Sequence, residues 1–148
     1  MVVRVGINGF GRIGRLVLRA AYESGRNDIE FVAINDLGST KTNAHLLKYD
    51  SVHGRFAGDV KASDEAIDLG RGPIRVTAER DPSKLKWGEF GVDIVLESTG
   101  IFDSKEKASV HLAAGAKKVL VSAPATGADL TVVYGVNHDK LAKPHRVV

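Results

Sequence analysis

One glycine motif constrains this chain more than any other feature. The sequence Gly-Phe-Gly-Arg-Ile-Gly begins at Gly9 and matches the pattern G-x-G-x-x-G. It follows an apolar run, Val2–Asn8, that predicts a buried strand, and it opens a segment, Arg12–Ser24, that predicts a helix. In that setting Gly9 permits a tight turn, Gly11 lets the backbone approach a pyrophosphate, and Gly14 lets the helix pack closely on the strand. The motif therefore predicts a strand–turn–helix unit with a dinucleotide site.

The predicted helix places donors where a diphosphate needs them. The amides of Arg12 and Ile13 lie at its positive N-terminus, which suits two phosphates. Gly25 follows the helix in the usual C-terminal position. An apolar stripe at helical spacing is expected to face the sheet. Its members are Ile13, Leu16, Val17, Ala20 and Ala21.

An acidic residue stands where the ribose of a dinucleotide is expected. The second predicted strand, Ile29–Asn35, ends beside Asp36, which lies 22 residues after Gly14. A carboxylate there accepts hydrogen bonds from the adenosine ribose hydroxyls and repels a 2′-phosphate. Leu37 and Gly38 come next, not an arginine. The pattern favours NAD over NADP, with Asn35 and Asp36 among the cofactor-binding residues.

Strands and helices alternate along most of the chain. Helices are predicted over Thr40–Lys48 and Ser104–Ala114, with Ser104 as N-cap and Gly115 beyond the end. Short antiparallel strands are predicted over 59–61, 66–69 and 74–77, and further strands over 93–97, 118–122 and 130–133. The pattern predicts one α/β domain over residues 1–148, a doubly wound parallel sheet with helices on both faces and a short antiparallel insertion.

Two more turns follow predicted strands, where ligands bind in such sheets. Ser98-Thr99-Gly100 follows one, and Ser122-Ala123-Pro124 follows another. From the fold alone, each is equally consistent with a simple turn or a helix cap. The last residues, 146–148, predict the opening of one more strand, so we expect this chain to be a piece of a longer protein.

Composition excludes several other classes of protein. The 148 residues include no cysteine, so this stretch holds no disulfide, cysteine metal site or thiol nucleophile. No apolar run is long enough to span a membrane, and a cytoplasmic location is expected. The net charge is +3, but basic and acidic residues interleave and aromatic residues make up only 6%, which does not favour nucleic acid as a partner. The five histidines lack metal-ligand spacing, which indicates structural or solvent-facing roles.

The chain also resembles a known enzyme family over nearly its whole length. Asn-Gly-Phe-Gly-Arg-Ile-Gly-Arg, starting at Asn8, is similar to the opening of phosphorylating glyceraldehyde-3-phosphate dehydrogenases. The similarity continues through Val32–Asp36, Leu47–Phe56, Glu97–Gly100, Ala114–Val119 and Gly135–Asn137.

That resemblance implies a Rossmann NAD-binding domain of a homotetrameric glycolytic enzyme. It places the pyrophosphate on the backbone of Arg12 and Ile13, and the adenosine ribose on Asp36. It places Arg80 along the adenosine half and Ser122 near the nicotinamide. Ser98, Thr99, Gly100 and Phe102 would line the groove around the adenine. From sequence alone, Arg80 is equally a surface partner of neighbouring acids.

In that family a cysteine thiolate attacks the aldehyde of a phosphorylated substrate, and a histidine activates the thiolate. The family's Ser-Asn-Ala-Ser-Cys-Thr-Thr-Asn motif would begin just after Val148. The resemblance therefore implies that no catalytic residue lies in this chain, and we predict no turnover by it alone. Alternatives are the related domain of an erythrose-4-phosphate dehydrogenase, a nucleotide- or RNA-binding module without catalysis, and a structural homologue that binds no cofactor.

Overall fold

Seven strands form one sheet whose order reverses at the first strand. The computed structural model describes all residues, 1–148. The sheet order is β5-β6-β7-β2-β1-β8-β9, and a separate hairpin consists of β3 and β4. The strands are β1 (Val3–Asn8), β2 (Ile29–Asn35), β3 (Tyr49–Asp50), β4 (Gly54–Arg55), β5 (Lys61–Ala62), β6 (Ala66–Asp68), β7 (Pro73–Thr77), β8 (Ile94–Glu97) and β9 (Lys118–Val121).

The chain runs outward from β1 to β2 and β7 on one side, then returns to β8 and β9 on the other. The pairs β1–β2, β2–β7, β1–β8 and β8–β9 are all parallel. Ligands bind such sheets at the carboxyl ends of the strands, where the order reverses. Here that point is the end of β1, which leads into the glycine motif. The predicted doubly wound sheet is confirmed.

Helices cover both faces of the sheet. They are α1 (Arg12–Glu23), α2 (Thr40–Lys48), α3 (Lys105–Ala108) and α4 (Val110–Ala113). Leu18 of α1 and Leu47 of α2 pack with Ile7 and Ile34 in the core of one face. On the other face, Ala108 of α3 packs against the apolar side of β9. None of these helices is long and apolar enough to cross a bilayer.

The predicted apolar stripe of α1 is wrong at Ile13 and Val17, although Ala21 does pack against the core. Ile13 and Val17 are 50% and 39% exposed, whereas Leu18 and the guanidinium-bearing Arg19 are buried. The tight turn before the helix presses Gly14 against the end of β1, so Gly14 and Leu18, one turn apart, face the sheet. The helix ends as predicted, and Gly25 has a φ of +69°.

The single helix predicted over Ser104–Ala114 forms as two short helices with a break between them. Ser104 caps it as expected, accepting a hydrogen bond from the Lys107 amide. At Ser109, however, the hydroxyl donates to the Lys105 carbonyl at 2.6 Å, and the helix divides into α3 and α4 there. Serine side chains that bond back to the preceding turn compete with regular helix geometry.

The predicted strand at residues 130–133 does not form. The Val133 carbonyl accepts from the amides of Val136 and Asn137, so the segment turns back and has no neighbouring strand. The strand predicted to open at residues 146–148 is only an isolated parallel bridge, between Val147 and Val119 of β9. The Val119 amide donates to the Arg146 carbonyl at 2.7 Å, and Asp129 accepts from two amides of the same terminal segment.

The predicted insertion is confirmed as an antiparallel edge, with one addition. Strands β5, β6 and β7 pair antiparallel in sequence, and β7 also runs parallel to β2 and so joins the insertion to the main sheet. The hairpin β3–β4 was not predicted. Buried Arg19 holds it, since its Nη1 donates to the Gly54 carbonyl at 2.9 Å.

Candidate dinucleotide site

Each glycine of the motif has a separate structural reason. Gly9 has a φ of +90°, and a Cβ there would lie 2.7 Å from the Thr99 nitrogen. A Cβ on Gly14 would lie 2.4 Å from the Gly9 carbonyl oxygen. A Cβ on Gly11 would meet nothing within 4 Å. Two glycines therefore permit close packing inside the chain, and Gly11 alone leaves open space for a ligand.

The first turn of α1 presents free backbone donors toward that space. The amides of Gly11, Arg12, Ile13 and Gly14 donate to no acceptor within the chain. The N-cap residue is Gly11, which offers no side-chain acceptor, and the first turn carries no acidic residue. Unpaired N–H groups at the positive end of a helix bind anions such as phosphate. The arrangement fits the pyrophosphate of a dinucleotide.

Two arginines hold the turn from the sides. Arg15 Nη1 donates to the Phe10 carbonyl at 2.8 Å. The Arg12 guanidinium lies 3.1 Å from Asp50 Oδ1 in the β3–β4 hairpin. Backbone N–H groups of His53 and Val52 donate to Asp50, and with Arg12 they hold the pKa of its carboxyl well below its ordinary value. The Asp50 carboxylate therefore stays ionised and holds Arg12 beside the turn.

Asp36 lies at the end of β2, against the same turn. Its Oδ2 accepts from the Phe10 amide at 2.9 Å, and its Oδ1 accepts from the Gly38 amide at 2.8 Å and from Asn43 Nδ2 at 3.2 Å. Three donors fix the carboxylate while leaving acceptor capacity free on Oδ2. The structure therefore brings the predicted ribose-binding acid together with the predicted phosphate site.

Asn35 is buried, and its amide is fully used inside the protein. Its Nδ2 donates to Asn8 Oδ1 and to the Glu79 carbonyl, both at 2.9 Å. Its Oδ1 accepts from Thr77 Oγ1 and the Glu79 amide, both at 2.8 Å. The side chain joins the ends of three strand segments and so positions its neighbour Asp36.

The predicted residues after β8 divide into two groups. Ser98 Oγ donates to the Gly9 carbonyl at 2.7 Å, and the Thr99 amide and hydroxyl donate to Glu97 Oε1 at 2.8 and 2.5 Å. Gly100 has a φ of +78° and completes this turn beside the glycine motif. Phe102 is half-buried and packs against the α3–β9 cluster.

Arg80 and Ser122 occupy other parts of the same sheet edge. Arg80 is exposed, three residues beyond the end of β7, and forms no ion pair with its acidic neighbours. Ser122 is exposed directly after β9, and its amide donates to the Glu97 carbonyl. Neither side chain is tied into the turn, so both are free to contact a ligand.

Sequence reasoning missed a buried polar group beneath this edge. Glu97 and His111 are 1% and 0% exposed, and Glu97 Oε2 lies 2.7 Å from His111 Nε2. Burial raises the pKa of Glu97, but hydrogen bonds from His111, Asn8 and Thr99 outweigh it and hold that pKa below its ordinary value. The signal in the sequence was an acid at the end of the apolar run Ile94-Val95-Leu96, since such an acid needs buried partners.

A doubly wound sheet, a glycine turn with free amides and an acid at the end of β2 together define a dinucleotide-binding Rossmann domain. The model of the family "Glyceraldehyde 3-phosphate dehydrogenase, NAD binding domain" matches residues 3–105. The chain belongs to this family, and its cofactor is NAD.

Curated relatives agree with the family. The chain is 70% identical over 148 residues to a glyceraldehyde-3-phosphate dehydrogenase of Xanthobacter flavus and 64% identical over 148 residues to that of Cereibacter sphaeroides. It is 57% identical over 147 residues to that of Thermotoga maritima. These alignments cover 99–100% of this chain but only 44% of each relative, so the chain spans less than half of their length.

Proposed function

We propose that residues 1–148 form the cofactor-binding domain of an NAD-dependent, phosphorylating glyceraldehyde-3-phosphate dehydrogenase. One observation carries the proposal: four unpaired amides at the start of α1 lie beside a carboxylate that three donors hold in place. A diphosphate and a ribose diol need these two groups side by side. The names of the relatives favour this enzyme over an erythrose-4-phosphate dehydrogenase.

Each part of the site then has a role in binding NAD. The amides of Arg12 and Ile13 bind the pyrophosphate, for which Gly11 leaves space. Asp36 accepts hydrogen bonds from the adenosine ribose and excludes a 2′-phosphate by charge. Asn35 acts through Asp36 by fixing the end of β2.

The remaining predicted residues line the two ends of the cofactor. Ser98, Thr99 and Gly100 form the wall beside the adenine, and Phe102 supports that wall from the core side. Arg80 extends along the adenosine half, which its lack of an ionic partner permits. Ser122 lies toward the nicotinamide, at the end of the neighbouring strand.

In the whole protein, we propose, the NAD that these residues hold would supply the hydride acceptor for oxidation of an aldehyde phosphate in the cytoplasm, and the subunits form a homotetramer. This chain contributes binding and orientation of the cofactor. It contains no cysteine, so the thiolate that attacks the aldehyde must come from another part of the protein. Neither an RNA-binding role nor a structural role without cofactor is favoured by any contact in the site.

The test separates binding from turnover in the same sample. The 148-residue protein is first titrated with NAD in a calorimeter. It is then incubated with NAD, glyceraldehyde 3-phosphate and inorganic phosphate, and NADH is followed by absorbance. We expect binding without NADH formation. Sustained NADH production would refute the assignment of the nucleophile to another segment. In the whole protein, a higher kcat/KM for erythrose 4-phosphate than for glyceraldehyde 3-phosphate would refute the substrate.

A further inference from the structure

A continuous chain of buried side chains runs beneath the cofactor edge. It begins at Trp87, passes through His111 and Glu97, and reaches Asn8 at the end of β1. The distances are 3.1 Å from Trp87 Nε1 to His111 Nδ1, 2.7 Å from His111 Nε2 to Glu97 Oε2, and 2.7 Å from Asn8 Nδ2 to Glu97 Oε2. All of these side chains are at least nine-tenths buried.

The indole of Trp87 decides the protonation of the pair. An indole N–H is a donor only, so His111 Nδ1 must be an unprotonated acceptor. The single proton of the neutral imidazole then resides on Nε2, which donates it to Glu97. A doubly protonated imidazolium would set two N–H groups against each other at Nδ1. His111 is therefore neutral, and Glu97 is a buried carboxylate.

The carboxylate uses both oxygens, one toward the core and one toward the cofactor. Oε2 accepts from His111 and Asn8, while Oε1 accepts the amide and hydroxyl of Thr99. The Thr99 backbone in turn packs on Gly9, where even a Cβ would clash at 2.7 Å. Any displacement of Thr99 thus moves one wall of the proposed adenine groove and the glycine turn together.

We propose that His111 and Glu97 are positioning residues for NAD: the buried carboxylate, fixed by the neutral imidazole, holds the Thr99–Gly100 turn in the geometry that the cofactor needs. This inference rests on the proposed function for the placement of NAD against that turn. It predicts that cofactor affinity depends on the charge of a group that itself has no access to the ligand. Protonated Glu97 would turn one of its oxygens into a donor facing Thr99, His111 or Asn8, all of which donate.

His111 is the titratable side chain bonded to Glu97. The other groups facing the carboxylate carry no charge: Asn8 comes from β1 and Thr99 from the loop after β8, and Val121 pairs with Glu97 on β9. Asp36, which bonds to the glycine turn, is the same in the wild type and in a His111 variant, so the difference between their pH profiles reports on the Glu97–His111 pair.

The test compares His111→Gln with His111→Leu. Glutamine keeps a donor for Glu97 and an acceptor for Trp87, whereas leucine removes both. We expect H111L to weaken NAD binding by at least about tenfold at pH 7, as loss of one hydrogen bond to a charged group implies. We expect H111Q to remain within about threefold of the wild type. Folding of each variant is checked by circular dichroism and thermal melting.

The pH profile of Kd separates positioning from mere stability. Without His111 the pKa of Glu97 rises, so NAD affinity of H111L should fall at a higher pH than that of the wild type as the solution is acidified. A folded H111L that binds NAD like the wild type at every pH would overturn the inference. If H111L does not fold, H111Q decides: it keeps both hydrogen bonds, so a folded H111Q that binds NAD more than about tenfold more weakly than the wild type would overturn the inference.

The wild-type protein gives a test that needs no variant. Long-range ¹⁵N–¹H correlation spectra read the imidazole tautomer directly, and we expect His111 to be protonated on Nε2 alone. An imidazolium would overturn the inference. If the wild type does not bind NAD at all, the proposed function fails instead, which keeps the two results distinct.

Discussion

Alanine at Gly14 and alanine at Gly11 should separate the two uses of the glycine motif. At Gly14 the new Cβ would lie 2.4 Å from the Gly9 carbonyl oxygen and 3.1 Å from both Ile7 Cγ2 and Ser98 Oγ. At Gly11 it would meet no atom of the protein within 4 Å, and the backbone φ of −71° suits any residue. The first substitution should therefore damage the fold, and the second should damage binding.

The expected size of the Gly14→Ala effect follows from two opposed contributions. Alanine favours a helix over glycine by about 1 kcal/mol. Overpacking costs about 1–3 kcal/mol, and contact with a backbone oxygen, which cannot rotate away, belongs at the upper end. The net loss is about 1–2 kcal/mol of unfolding free energy. For a chain of this size that lowers Tm by roughly 2–8 °C.

Gly11→Ala is the matched control on the same turn. Its Tm should stay within about 2 °C of the wild type, because nothing in the protein meets the methyl group. The methyl group would, however, occupy the space through which the pyrophosphate is proposed to approach. A clash of about 1–3 kcal/mol raises Kd for NAD roughly 5–150-fold.

Thermal melting measures Tm of both variants, and calorimetric titration measures their Kd for NAD. The reasoning would be refuted if G14A melted at or above the wild-type temperature, or if G11A bound NAD as tightly as the wild type. Either result would mean that the turn does not have the geometry described here.

Further predictions concern buried and partly buried polar groups elsewhere. Arg19→Met should lower the unfolding free energy by about 1.5–3 kcal/mol, because the substitution removes charge-assisted hydrogen bonds to the β3–β4 hairpin. Urea unfolding measures this loss of stability, and an unchanged midpoint would contradict the prediction. Lys105 and the backbone amides of Val147 and Arg146 lower the pKa of Asp129. The Asp129 carboxylate therefore stabilises the folded protein fully above its unfolded-state pKa. This stabilisation is lost as the pH falls through the lower folded-state pKa. Asp129→Ala should accordingly speed hydrogen exchange at Val148, and protection equal to the wild type would count against this. Asn43→Ala should raise Kd for NAD by about two- to fivefold, through loosening of Asp36. An unchanged Kd would show that the two backbone donors suffice to hold that carboxylate.

Local sequence signals predicted the elements that carry the site. The strand Ile29–Asn35 and the helix Thr40–Lys48 have the predicted bounds. The glycine motif and the acid after β2 could be placed because chain geometry ties both to the carboxyl ends of adjacent strands. The roles of the individual cofactor-binding residues remain predictions.

Other features depend on tertiary contacts that no local pattern encodes. Periodicity put Ile13 and Val17 in the core, but the close approach of Gly14 rotates α1 so that Leu18 faces the sheet instead. The strand predicted at residues 130–133 does not form, because no neighbouring strand pairs with this segment. The sequence predicted structural or solvent-facing roles for all five histidines, but the bond from His111 to Glu97 joins residues 14 positions apart and could be seen only in three dimensions.

The most direct test of the central claim is a calorimetric titration of this protein with NAD and, in parallel, with NADP. In the proposed placement of the dinucleotide, the free amides of α1 would serve both cofactors equally, whereas Asp36 would face the position where only NADP carries a phosphate. We expect NAD to bind and NADP to bind at least about tenfold more weakly, a difference of about 1.4 kcal/mol. Equal affinity for the two cofactors would contradict the role of Asp36 and the placement of the dinucleotide across the ends of β1 and β2.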